Sequence, residues 1–97
     1  MTVFPSPTRL SAHEKALGRL TAYIKAQPTR VLAQSLVALG DPPAGSAERV
    51  AMMHTCDCLE KRHGLTDMLD KLADEAPLGT TYSELVLLAL SLQEEGK

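Results

Sequence analysis

Apolar positions recur along this chain at three- and four-residue spacing in successive stretches, each bounded by a residue that starts or stops a helix. Ser11 followed by Glu14 is a capping-box pattern, in which each side chain takes up a backbone N–H of the first turn; it opens a helix to about Gln27. Ala16, Leu17, Leu20, Tyr23 and Ile24 form its apolar stripe, with Lys15, Arg19 and Lys25 away from it. Pro28 stops this helix and is placed to start the next at its first turn. Val31, Leu32, Leu36, Val37 and Leu39 make the apolar face of that second helix, which Gly40 closes. Asp41-Pro42-Pro43-Ala44-Gly45 is a stiff loop, too short for a domain linker. Ser46 caps a third helix running to His63, with Gly64 as a left-handed terminal residue and Leu65 as the hydrophobic contact after it. Thr66 caps a short fourth helix with Met68, Leu69, Leu72 and Ala73 inward and Asp67, Asp70, Lys71, Asp74 and Glu75 outward; Pro77 and Gly79 end it.

The last stretch, Thr81 to Gln93, differs in kind. Thr81 and Glu84 repeat the capping-box pattern, but Leu85 to Leu92 is apolar on every side of a helical wheel. A helix of that pattern is expected to be covered all round, whereas a surface helix keeps a polar face. The pattern therefore predicts that this fifth helix, with Leu88 at its middle, is the centre of the fold. The run is far too short to span a bilayer.

Residues 1–10, MTVFPSPTRL, have no period, and Pro5 and Pro7 favour extended backbone around them. The expectation is thus an all-α protein: an extended N-terminal arm over 1–10, and over 11–97 a single compact domain of about five short helices, orthogonal or bundle-like. No signal-peptide pattern opens the chain, which sets a cytoplasmic, membrane-free expectation. Two cysteines are then expected to be reduced thiols.

Composition narrows the core and the partners. Aromatics are 3% of 97 residues and Trp is absent, so the core is aliphatic and stacking platforms for bases or sugars are close to excluded. Charge is divided between the halves. Residues 1–50 carry six Lys/Arg against three acids, +3, and residues 51–97 carry four against nine, −5. Two halves, or two copies, of such a chain attract each other.

His54 to His63 is the segment whose residue types suggest chemistry. Thiolate and imidazole are the preferred zinc ligands. At about 100° per residue, however, Cys56 and Cys58 point roughly 200° apart on a helix. His54 with Cys58, and Cys56 with His63, each share a face, giving two ligands where a structural zinc takes four. Doubling a pair across a two-fold dimer would complete a site, which keeps a metal-binding protein as an alternative. The preferred account makes both cysteines small buried hydrophobes and assigns no cofactor. Nucleophilic catalysis by either thiol lacks a loop to bring oxyanion donors, so no catalytic residue is assigned. A second alternative is a DNA-associated regulator with a turn at Lys61 to Thr66. The following helix, with Asp67, Asp70, Asp74 and Glu75 against Lys71, would be repelled by phosphates, which leaves only the basic N-terminal half for that role and makes nucleic acid an unfavoured partner.

The favoured expectation is a non-catalytic regulatory protein that binds another protein, sequestering or inhibiting it, as a homodimer. In the third helix Ala51, Met52, Thr55, Cys56, Cys58 and Leu59 form one apolar arc, while Val50 and Met53 lie opposite. A second apolar side is a candidate interface. Phe4, Val50, Met53, His54, Val86 and Leu90 are the residues expected at a partner or dimer contact.

Overall fold

A computed structural model describes residues 11–96. The segment expected to form an extended arm, with Phe4, lies outside the described residues. All regular elements described are helical: α1 Ala12–Ala26, α2 Thr29–Leu39, α3 Ala47–His63, α4 Thr66–Glu75 and α5 Tyr82–Glu95. No described helix is long and apolar enough to cross a membrane.

The helix starts follow local chemistry. Ser11, Ser46 and Thr81 cap α1, α3 and α5, their hydroxyls accepting from the backbone N–H of Glu14, Arg49 and Glu84. In α1 and α5 the same hydroxyl also donates to the glutamate three residues on, Ser11 to Glu14 at 3.3 Å and Thr81 to Glu84 at 3.1 Å. Gly64 ends α3 at φ 62° and ψ 46°, the left-handed conformation a Cβ disfavours. Leu65 N–H then reaches back to the Glu60 carbonyl at 2.9 Å, and its side chain is fully buried. That is the hydrophobic contact expected after a left-handed cap. Thr66 is not the cap of α4. Leu65 holds that position without a side-chain bond, and the Thr66 hydroxyl turns toward the Glu60 carboxylate at 3.5 Å instead.

The centre of the fold is α3 and not α5. α3 packs against α1, α2 and α5, while α5 packs against α3 and α4. Met52, Thr55, Cys56 and Leu59 of α3 meet Ile24 of α1, Leu32 and Leu36 of α2, Leu65, Leu69 of α4, and Val86 and Ala89 of α5 in one buried cluster. Buried polar atoms are satisfied: the Thr55 hydroxyl donates to the Ala51 carbonyl at 2.7 Å, and Ser83 lies 3.7 Å from the Cys56 sulfur. With two neighbours, α5 buries one stripe, Ser83, Val86 and Ala89. Leu88 stays 46% exposed, which corrects its expected place at the centre. Val37, Ala16, Tyr23 and Ala73, expected inward, are also exposed. A chain this short supplies too few helices to cover both ends of its apolar pattern, and the longest helix takes the interior.

Two long side chains fasten the periphery to α3. Arg62 donates to the Gln27 carbonyl at 2.8 Å and the Lys25 carbonyl at 3.1 Å, meeting the C-terminus of α1 with a positive charge. Those carbonyls have no partner within the helix, and the helix dipole favours a cation there. Arg49 bridges the proline loop, donating to Asp41 and to the Pro42 carbonyl, both at 3.3 Å.

Candidate interaction surface

α3 exposes one stripe along its length because its other sides are taken by α1, α2 and α5. Val50, Met53, His54 and Asp57 recur on that stripe at helical spacing, and Tyr82 from the first turn of α5 stands beside them. Together they line an open hollow of about 450 Å³. Met53 is 52% exposed and Val50 37%, one turn apart. Beyond them the stripe turns polar, with Asp57 paired to Lys61 at 3.0 Å. That acid-before-base spacing of four was visible in the sequence.

The Tyr82 hydroxyl donates to the Glu60 carboxylate at 2.9 Å. Burial of the ring, then that bond and the carboxylate's charge, push the phenol up from its ordinary value. A phenol held neutral is the form able to donate. Glu60 and Tyr82 stand 22 residues apart, and no sequence signal pairs them. Arg62 was missed as an anchor for the same reason: its acceptors lie on α1.

Of the residues expected at a contact, the structure gathers Val50, Met53 and His54. It separates the other two described ones. Val86 is fully buried against α3, so it belongs to the core and presents no surface. Leu90 is half-buried in a different hollow of about 190 Å³, with Thr29, His63 and Gln93. Phe4 lies outside the described residues.

The Cys/His pairs are divided by their surroundings. Cys56 is fully buried, and desolvation pushes its thiol up despite its hydrogen bond with Ser83. A thiol held protonated is a poor nucleophile and a poor metal ligand. His63 is hydrogen-bonded to the Thr29 hydroxyl at 2.7 Å. His54 and Cys58 do share a hollow of about 290 Å³, beside Asp57, Lys25 and Lys61. Cys58 is half-buried rather than buried, and its sulfur accepts from Arg62 at 3.6 Å. Among the described residues no group of three or more His, Cys, Asp or Glu is placed to hold a metal ion. After the turn from α3, α4 presents Asp67, Asp70, Asp74 and Glu75 to solvent.

A second apolar surface was not read from the sequence. α1 and α2, joined through Gln27 and Pro28, each rest on α3 more than on each other. Between them opens a groove of about 300 Å³, walled by Leu20, Tyr23 and Ile24 on one side and Val31 and Leu39 on the other. Its floor is Ala51 and Thr55 of α3. No known protein family matches this chain, and no match was found among curated proteins or solved structures.

Proposed function

We propose that the protein is a small non-catalytic regulator that binds another protein, sequestering or inhibiting it, and that it works as a homodimer closed across the α3 stripe. One observation carries the reading: Val50 and Met53 are open to solvent on the helix that is otherwise the most enclosed in the fold. Apolar residues left exposed together on a small domain are a characteristic of contact surfaces. Methionine adapts its shape to a partner surface. His54, Asp57 and Tyr82 around the pair supply the polar rim of such contacts. A straight helical stripe suits a two-fold partner, which offers the same stripe again in self-complementary form. The α1–α2 groove stays clear of that contact and is the surface for the regulated protein, in the manner of a helix or extended segment laid into a groove.

Light scattering of the chain at micromolar concentration tests the dimer. The parent is expected at twice the chain mass. Met53→Asp buries an unpaired charge at the contact and is expected to give the single-chain mass with its helical circular dichroism intact. A parent that runs as a monomer ends the dimer.

A further inference from the structure

We infer that the outer groove between α4 and α5 is a docking site for a basic amphipathic helix of a partner protein, its apolar stripe on Leu85 and Leu88 and its cations against Glu75 and Glu84. The groove shares no lining residue with the Val50–Met53 stripe or with the α1–α2 groove, and the inference rests on neither. On their inner sides α4 and α5 give Leu69, Val86 and Ala89 to the core. On their outer sides they leave an open hollow of about 590 Å³, floored by Leu72 and Ala76 of α4 and by Leu85 and Leu88 of α5. Leu92, one turn beyond Leu88, carries the apolar edge further along α5 and is also exposed. The Pro77–Thr80 turn borders one end. There the Thr80 hydroxyl donates to the Pro77 carbonyl at 2.8 Å, and Leu78 stands fully exposed.

Charge decides what such a groove accepts. Glu75 of α4 and Glu84 of α5 line its two sides, and no lysine or arginine lines it. Among the described residues neither carboxylate is held in an ion pair; the pairs are Arg49 with Asp41 and Lys61 with Asp57. Thr66 to Glu95 holds seven Asp and Glu against a single lysine, Lys71, a net charge of −6. A field of that sign above an apolar floor draws cations and repels acids. Amphipathic helices lie in apolar grooves by residues spaced three and four apart. Leu85, Leu88 and Leu92 have the same spacing and cover about 10 Å of α5 at ~1.5 Å per residue, so two turns of a partner helix match them. A second copy fits less well. Its basic helix is α1, and of the large apolar side chains left exposed Tyr23 alone lies there. Such a contact would also join unlike surfaces, which builds rings or filaments and not a two-fold pair.

A fluorescently labelled peptide of leucine and lysine, about four turns long with leucines three and four apart, is the probe. Anisotropy is expected to show it bound by the full chain at about 0.15 M salt, where exposed charges act over only about 8 Å. Two companion peptides, one with glutamate for lysine and one of the same composition in scrambled order, are expected to stay free. Glu75→Gln with Glu84→Gln removes the wall charges and keeps a glutamine able to serve the Thr81 capping box; it is expected to weaken binding about fivefold. Leu88→Ala is expected to weaken it by about the same factor, and both variants keep their helical circular dichroism. Asp70→Asn with Asp74→Asn removes equal charge from the far side of α4, each position about 200° from Leu72, and is expected to leave binding within about twofold. Amide shifts in NMR are expected to move around Leu72, Leu85 and Leu88. Absence of binding overturns the inference. So does a scrambled peptide that binds as tightly, or an Asp70 and Asp74 variant that loses as much, because either reduces the site to net charge. Shifts confined to α1 and α2 place the peptide in the other groove. A change in the light-scattering mass of the unliganded chain on Glu75→Gln with Glu84→Gln gives this groove to a second copy, and each of these two results is equally fatal.

Discussion

Glu60 is where three helices are joined by single atoms. Its carboxylate sits on α3 and accepts from Tyr82 of α5 and from Thr66 of α4. A phenol that must stay protonated to donate makes this junction pH-sensitive at the alkaline end. Unfolded tyrosine ionises near pH 10, and in the fold burial and Glu60 raise that value. The folded state then holds the proton more tightly, so this stabilisation is complete below about pH 10 and is lost as pH rises beyond it. In a Tyr23→Phe background, the tyrosinate absorbance of Tyr82 is expected to appear together with loss of helical signal. Ionisation while the helices persist would show that the bond to Glu60 is not made. Tyr82→Phe, measured near neutral pH, is expected to cost about 1 kcal/mol for the lost hydrogen bond, a few degrees of melting temperature. The two cysteines show how little residue type says by itself. Cys56 is sealed in the core and Cys58, two positions on, faces Arg62, because two positions carry a side chain about 200° around α3 to a different neighbour.

At the scale of elements, α3 and α5 exchange the roles that their patterns suggest. α5 has the more apolar sequence, yet it is α3 that three helices cover. The difference is measurable by truncation. Leu59→Ala, at a position with no exposed surface, is expected to cost about 2–5 kcal/mol, the range for a cavity opened in a packed interior. Leu88→Ala, nearly half exposed, is expected to cost about 1 kcal/mol or less. The opposite order in chemical denaturation would return α5 to the centre. Helix limits were legible because they are local: Ser11, Ser46, Thr81 and Gly64 act on atoms within a few residues of themselves. Thr66 looked like a cap by type, but Leu65 takes the cap position and the Thr66 hydroxyl turns to Glu60 on another helix.

For the whole molecule, the proposed dimer across α3 would tie folding to concentration. Anything that binds the folded chain and not the unfolded one raises stability by mass action, and in that proposal the ligand is a second copy. The parent's melting temperature is expected to rise with protein concentration across the micromolar range, and that of Met53→Asp to stay flat. A parent curve that is equally flat would count against association as firmly as a monomer mass. The charge division runs the same way, with the basic side chains of α1 and α2 at one part of the chain and the acidic ones of α4 and α5 at another. Such a division favours encounter between copies at low salt more than it adds to affinity.

The amino-acid sequence by itself determined the all-helical class, the five helices and nearly all of their ends, since periodicity and capping depend on neighbours three or four positions away. It also marked Val50 and Met53 as lying opposite the apolar arc of their helix, because 3.6 residues per turn sets that angle before any packing occurs. It could not say which apolar surface would win the interior. Six consecutive apolar residues, Leu85 to Leu90, tell how much of α5 is able to be buried, while the number of helices available to cover it is a property of the assembled chain. Only the tertiary structure therefore decided that Val86 is core, that Leu88 faces solvent, that Arg62 ends α1, and that α1 and α2 part to leave a groove, because each depends on distances between segments that no local spacing encodes.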